Sequence, residues 1–158
     1  MSYKIVKEVD RLGRIVLPKS IRQHLKIKCG DSVFFELQND KVMLGKYNAI
    51  LGLIDFAELI CESIYEMTFC GCIINDNEKI IAVSGATKSL VGKPFVIENS
   101  EVVCDEKRIK IKDYFCQEII SGQKCIGKII VISNEDIDDK IKTTISIISR
   151  YLGKVAVG

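Results

Sequence analysis

The chain has 158 residues, of which 47% are hydrophobic and 28% are charged, and its formal net charge is +2. This composition excludes an intrinsically disordered chain, and no apolar run reaches the roughly 18 residues that a transmembrane helix needs. The first residues carry charges every few positions, which is not the pattern of a secretory signal peptide. We therefore expect a globular, cytoplasmic protein with one ordinary domain or two small ones.

The small net charge hides an asymmetry between the two ends of the chain. Residues 1–50 contain ten Lys and Arg against five Asp and Glu, whereas the remaining residues contain thirteen against sixteen. A basic segment joined to a mildly acidic one indicates that the first contacts a polyanion and that the second does not.

Residues 1–50 predict short elements in quick succession, separated by turn residues. In chain order they are a strand at 3–9, a turn at 10–13, a strand at 14–17, a helix at 20–25, and a hairpin of strands 32–37 and 41–46. Pro18 suits the first turn of the helix, where its missing N–H costs nothing. Because some 50 residues with such short elements bury little surface, we expect an intertwined dimer in which each chain completes the other's sheet.

The remainder of the chain predicts an α+β fold, with an antiparallel sheet flanked by a first and a last helix. Apolar residues follow a 4-3-4-3 spacing in a helix from Leu53, opposite an acidic face, and again in a helix from about residue 136. The predicted strands between them are 69–74, 79–84, the short 102–104 and 108–111, and the hairpin strands 114–121 and 125–133. The weakest pattern lies in the stretch 85–113.

The two helical stripes indicate pairing of helices between subunits, although each stripe alternatively faces its own sheet. The last helix favours pairing because Ile137, Ile147 and Tyr151 supply a second apolar face. A four-helix bundle formed in this way would give a homotetramer. The residues that we predict to hold subunits together are Leu53, Ile60, Ile64, Ile145, Ile148 and Leu152.

The seven cysteines have no regular spacing, and the chain has one histidine, His24. Zinc sites usually show two paired Cys or His clusters, whereas here only Cys70 and Cys72 form a pair. On a strand their side chains would share a face, where a metal or thiol switch is one interpretation and a buried, inert pair the favoured one. The loop Ser84–Lys88 lacks the glycine spacing of a phosphate-binding loop. We expect no metal, no cofactor and no enzyme activity.

The N-terminal segment also carries a run that is specific in residue type, spacing and order. Residues 9–22 are Val-Asp-Arg-Leu-Gly-Arg-Ile-Val-Leu-Pro-Lys-Ser-Ile-Arg, and residues 25–31 are Leu-Lys-Ile-Lys-Cys-Gly-Asp. This pattern closely resembles the AbrB family of bacterial transition-state regulators. Through the stretches 55–57, 81–85 and 126–127, the second part resembles the GAF-like domain of sporulation regulators.

The resemblance implies a dimeric, swapped-hairpin β-barrel that binds DNA over residues 1–50, and a GAF-like sensor or oligomerisation domain over 51–158. It implies a sequence-specific transcription regulator of transition-state or sporulation genes. The implied partners are double-stranded DNA, further copies of the chain, and a small-molecule effector of the GAF-like domain. The alternative is an antitoxin-like protein that binds a toxin and its own promoter. Antitoxins usually end in a flexible acidic tail, so the folded C-terminus predicted here argues against it.

The family's DNA-contacting basic positions correspond here to Lys7, Arg14 and Arg22, while Glu8 and Gln23 stand where relatives often have a basic residue. Residue chemistry agrees, because Arg14 follows a glycine turn, and arginine contacts phosphate or guanine O6 and N7 bidentately. The alternative is an ordinary solvated basic surface. The full set that we predict to bind DNA is Lys7, Arg11, Arg14, Lys19 and Arg22.

Overall fold

The computed structural model describes residues 4–85 and 88–156. It divides into two compact units, residues 1–47 and residues 48–158, which are described separately. Within the described ranges, no helix has both the length and the hydropathy needed to cross a bilayer.

The described residues of the N-terminal unit, 4–47, form one short helix and one hairpin. Helix α1 is Lys19–His24, and strands β1 (Val33–Gln38) and β2 (Lys41–Lys46) pair antiparallel. The two residues between the strands, Asn39 and Asp40, have positive φ angles of 46° and 61°. These angles give a tight turn whose twist matches that of the two strands. The predicted hairpin is confirmed by the pairing of β1 with β2.

The strands predicted at 3–9 and 14–17 do not form in the single chain. From residue 4 to Pro18 the structure shows only a turn over 11–13 and no strand. A strand exists only where its backbone has a pairing partner, and within one chain β1 and β2 pair only with each other. The prediction is therefore wrong for the isolated chain, which lacks the second copy that the prediction assumed.

The N-terminal unit closes no core of its own, since none of the described residues 4–47 is buried. Its large apolar side chains instead lie open to solvent. They are Ile5, Val6, Val9, Leu12, Ile15, Val16, Phe34, Phe35, Leu37, Val42 and Met43. So much exposed apolar surface on so small a unit is typical of a surface that another chain covers.

Besides two short 3-10 helices, the described residues of the C-terminal unit form two α-helices and seven strands. In chain order they are α2 (Ile54–Thr68), β3 (Gly71–Asn75), β4 (Ile80–Ser84), β5 (Val96–Glu98), β6 (Glu101–Cys104), β7 (Lys107–Lys110), β8 (Asp113–Ser121), β9 (Lys124–Ser133) and α3 (Asp139–Val155). The larger sheet has the order β4-β3-β9-β8 and the smaller one β5-β6-β7, with antiparallel pairs throughout. The predicted α+β class with antiparallel strands is confirmed.

The larger sheet is covered on both faces. Helix α2 packs on β3 and β4, and α3 packs on β8 and β9. The core beneath the helices contains Cys61 and Ile64 of α2 together with Ile145 and Leu152 of α3. On the other face, Leu90 and the smaller sheet close a second core against Ile73 and related sheet residues.

Two details of the C-terminal unit depart from the sequence prediction. The strand expected at 69–74 begins only at Gly71, because Phe69 ends α2 in the left-handed region with a φ of 56°. Strand β5 was not predicted, since Val96–Glu98 is short and follows Pro94. The loop Ser84–Lys88 includes residues 86 and 87, which lie outside the described residues.

Candidate nucleic-acid interface

The turn that carries Arg14 is fixed by the carboxylate of Asp10. Its Oδ1 accepts the backbone N–H groups of Leu12 and Arg14, each at 2.9 Å. Its Oδ2 lies 2.7 Å from Nε of Arg14. The chain reverses here through Gly13, whose φ is 75° and whose N–H donates to the Asp10 carbonyl. One carboxylate thus holds both the backbone turn and the guanidinium group.

Electrostatics agree with this geometry. The backbone and side-chain hydrogen bonds from Arg14 lower the pKa of Asp10 below its ordinary value, because they favour the ionised carboxylate. Asp10 therefore stays charged at neutral pH and keeps its bond to the arginine. We did not predict this role from the sequence, although an Asp that precedes a glycine turn and can bond the backbone two residues on was the available signal.

The other predicted DNA-binding residues lie at separate places in the unit. Lys7 is in the N-terminal segment, Arg11 is in the turn, and Lys19 and Arg22 are on α1, three residues apart. All of them are exposed, and no hydrogen bond or ion pair joins these places in the part of the chain that the structure describes. The structure thus leaves the basic groups accessible and brings only Arg11 and Arg14 into one turn.

Helix α1 is short but well anchored at its start. Pro18 precedes it, and the N–H of Arg22 donates to the Pro18 carbonyl at 3.0 Å. The helix was predicted at 20–25 and is observed one residue earlier. Arg22 lies in its last turn beside His24, which is exposed.

A second surface is formed by the outer sides of α2 and α3, and we call it the helix surface. The rings of Phe56 and Tyr151 lie 6.3 Å apart across the two helices. An apolar groove between the helices is lined by Ile60, Met67 and Ile148 among others. The exposed or partly exposed apolar residues that define the surface are Phe56, Leu59, Ile60, Met67, Ile147, Ile148 and Tyr151.

Half of the residues predicted to join subunits are buried within the subunit itself. Ile64, Ile145 and Leu152 lie in the core beneath the helices. Leu53, Ile60 and Ile148 are partly buried at the edge of that core. The regular stripe therefore faces the sheet, which was the alternative interpretation. The second apolar face that we recognised on the last helix is exposed at Ile147 and Tyr151, whereas Ile137 is buried.

The charges on the two helices differ in sign. Helix α2 carries four acidic residues and no basic one, while α3 carries four basic residues and one acidic one. The exposed acids of α2 are Asp55, Glu58, Glu62 and Glu66, and exposed basic residues of α3 include Lys140, Arg150 and Lys154.

The cysteine pair lies in the core rather than at a site. Cys70 and Cys72 are both buried, and Cys72 contacts the thiol of Cys61. That contact and burial raise the pKa of Cys72 well above its ordinary value, so the thiol stays protonated and unreactive. Across the described ranges, no group of three or more His, Cys, Asp or Glu side chains is placed to hold a metal ion. Burial favours the interpretation of an inert pair.

The first comparison with known proteins concerns the N-terminal unit. Residues 6–51 match the family model described as antidote-toxin recognition MazE, bacterial antitoxin. This segment includes the Asp10–Arg14 turn, α1 and the hairpin, so the likeness to MazE-type domains covers most of the N-terminal unit.

Two curated relatives then identify the resemblance more closely. Over 104 residues, 65% of this chain and 58% of the relative, the chain is 36% identical to stage V sporulation protein T of Bacillus subtilis (strain 168). Over 46 residues, 29% of this chain and 50% of the relative, it is 46% identical to the putative transition state regulator Abh of the same organism. The predicted resemblance to AbrB-type regulators is confirmed, and the chain spans little more than half the length of these relatives.

Proposed function

We propose that the protein is a homo-oligomeric, sequence-specific DNA-binding transcription regulator of transition-state or sporulation genes. The observation that carries this proposal is the Asp10–Arg14 turn, which presents an anchored, exposed arginine inside the segment that matches the MazE-type model. The names of the two relatives, a sporulation protein and a transition state regulator, support the biological setting.

The basic residues supply the chemistry for DNA. We propose that Lys7, Arg11 and Lys19 neutralise phosphates, and that Arg14 and Arg22 contact phosphates or base edges. Contacts to phosphates set position and affinity, whereas contacts to base edges set sequence preference. The excess of basic over acidic residues in 1–50 supports this division, because a polyanion attracts the unit as a whole.

We propose that two copies of residues 1–50 interlock as a swapped-hairpin β-barrel. Among its described residues, the unit has a paired hairpin, two irregular stretches on either side of the Asp10–Arg14 turn, and no buried residue. A second copy would provide both the missing backbone partners and the missing core. Two-fold symmetry would also present two copies of Arg14 and Arg22 to the two halves of a DNA site.

We propose further that residues 51–158 form a GAF-like unit that joins two such dimers into a tetramer through the helix surface. Ile60, Met67 and Ile148 support this role, because they line an apolar groove between α2 and α3, and apolar helix faces of this kind pack against other helices. Phe56, Leu59, Ile147 and Tyr151 add further exposed apolar surface on the same two helices. The opposite charges of the two helices favour α2 of one copy beside α3 of another. A small-molecule effector of this unit remains a proposal that rests on the resemblance.

The test of the DNA-binding function is a titration of the full chain on a duplex chosen by repeated selection from a random library. Affinity should fall steeply with salt, because binding releases counterions. Arg14→Ala and Arg22→Ala should each weaken binding by about 1–3 kcal/mol where they contact a base. Arg108→Ala, which removes an exposed arginine of β7, is the matched control. Wild-type affinity in both test variants would contradict the assignment of these residues.

A second candidate is an antitoxin that binds a toxin as well as its own promoter, and the description of the matching family model favours it. The folded C-terminal unit argues against it, since the described residues after 47 build two hydrophobic cores. Purification of the tagged chain from its native cells separates the two functions. A stoichiometric small partner would favour the antitoxin.

A further inference from the structure

The position of Asp10 on the proposed DNA-binding surface is unexpected, because an acidic residue there repels phosphate. Its carboxylate nevertheless accepts three hydrogen bonds within one turn, two from backbone N–H groups and one from Nε of Arg14. Asp10 and Arg14 are both exposed, so the bond forms where a ligand can reach the guanidinium.

The bond at Nε determines which edge of Arg14 remains available. A guanidinium group has five donors in a rigid planar fork. Asp10 engages Nε, whereas the terminal nitrogens Nη1 and Nη2 form a separate edge at the end of the planar group. Paired N–H donors on one edge match the O6 and N7 acceptors of guanine in the major groove.

We propose that Asp10 is a positioning residue for specificity, which holds Arg14 so that its Nη1–Nη2 edge meets a guanine. This inference rests on the proposed DNA-binding function and deepens it, since it names the base class that Arg14 contacts. A free arginine on a turn samples many rotamers, most of which direct it to the nearest phosphate. An arginine held at Nε keeps one direction, and its contribution shifts from general affinity to base preference.

The proposal predicts that removing Asp10 has opposite effects on the affinity for selected and for unrelated DNA. Removing an acid from a DNA-binding surface strengthens binding to any duplex, because repulsion of phosphate is lost. Removing Asp10 should strengthen binding to unrelated DNA in the same way. It should weaken binding to the selected site, because Arg14 loses its fixed direction.

Asp10→Asn separates the two roles of the side chain. The amide oxygen still accepts the N–H groups of Leu12 and Arg14, so the turn keeps its backbone bonds. The amide N–H₂ is a donor and cannot accept the bond from Nε of Arg14. Glu8→Gln is the matched control, since it removes one exposed acidic charge two residues away and leaves the Asp10–Arg14 turn unchanged.

The experiment measures the affinity of the full chain for the selected duplex and for a scrambled duplex of equal length and composition at one salt concentration. Asp10→Asn should lower affinity for the selected duplex about tenfold, as expected for loss of one bidentate base contact. Its affinity for the scrambled duplex should stay equal or rise. Glu8→Gln should raise both affinities slightly.

A double-mutant cycle tests whether Asp10→Asn acts through Arg14 or through a general loss of folding. In an Arg14→Ala background, Asp10→Asn should no longer lower affinity for the selected duplex, because the arginine that Asp10 positions is absent.

Changes to the contacted base test the guanine assignment from the DNA side. Replacing guanine by inosine preserves O6 and N7 and should be tolerated. Replacing it by 7-deazaguanine removes the N7 acceptor and should abolish the higher affinity of the wild-type chain relative to Asp10→Asn.

Three outcomes would overturn the positioning role. The first is a rise in affinity for the selected duplex with Asp10→Asn, as with Glu8→Gln. The second is an equal loss in the presence and absence of Arg14. The third is an equal loss on both duplexes, which would indicate damage to the unit itself. A wild-type chain that binds selected and scrambled duplexes alike would contradict the proposed function as well, so the two failures are distinguishable.

Discussion

The two units of the chain differ in how completely they fold alone. Residues 48–158 surround one four-stranded sheet with a core on each face. In residues 4–47 no side chain is buried, although the segment is rich in Ile, Val, Leu and Phe. Apolar side chains thus form the cores of the C-terminal unit, whereas in residues 4–47 they lie at the surface. Apolar content alone therefore does not show whether a side chain will be buried within its own chain or by another chain.

The largest expected effect concerns the core beneath the helices. Leu152→Ala should lower the free energy of unfolding of the C-terminal unit by about 2–5 kcal/mol, because Leu152 is fully buried and its removal leaves a cavity. Thr143→Ala on the same helix is the matched control and should change stability by less than about 0.5 kcal/mol, since Thr143 is an exposed polar residue. Denaturant unfolding of the full chain measures both, and equal effects would contradict the division of α3 into inner and outer faces.

The next largest effect tests whether the helix surface joins subunits. Leu59→Glu with Ile147→Glu should halve the mass seen by light scattering, because two charges on the exposed apolar face oppose association. Affinity for a DNA with two adjacent sites should fall by about a hundredfold as the avidity of paired dimers is lost. The corresponding control is Gln123→Glu with Asn134→Glu, at exposed polar positions outside the two helices. An unchanged mass in the apolar variant would exclude this surface as the contact.

The smallest expected effect is a pH dependence at the start of α3. Asp113 accepts the N–H of Ile137 at 3.0 Å, and this bond lowers the pKa of Asp113 below its ordinary value of 3.8. A carboxyl group with a lowered folded-state pKa stabilises the fold above its unfolded-state pKa, and this contribution is lost as pH falls through the folded-state value.

Asp113→Asn should therefore flatten the loss of stability of the C-terminal unit below about pH 4, while Asp139→Asn, at an exposed position of α3, should alter it less. Thermal unfolding between pH 2 and pH 6 makes the comparison. Parallel pH profiles for the wild-type chain and Asp113→Asn would show that the bond to Ile137 does not contribute.

Sequence patterns were sufficient where the neighbours of a residue lie close along the chain. The hairpin turn at Asn39 and Asp40 and the α+β class follow from local periodicity and turn residues. The strands predicted at 3–9 and 14–17 do not form, because no strand among the described residues pairs with them. The 4-3-4-3 stripe correctly located apolar faces, but periodicity does not tell whether Ile145 and Leu152 meet their own sheet or another subunit.

The basic residues of the proposed interface were named from the sequence motif by type and spacing, and their contact with DNA stays a prediction. The role of Asp10 was not predicted, since acidic residues are expected to avoid DNA and its three hydrogen bonds become visible only once the turn is folded. Residue type indicated which groups to propose for DNA contact, whereas the folded geometry shows that Asp10 bonds one of them, Arg14.

The most direct test of the whole account separates the two units and asks which one recognises DNA. A fragment of residues 1–50 should sediment as a dimer, melt at a temperature that rises with concentration, and prefer the same selected duplex as the full chain with lower affinity. A fragment of residues 51–158 should fold and show no preference for that duplex. A folded monomer of residues 1–50, or selective DNA binding by residues 51–158, would contradict the account.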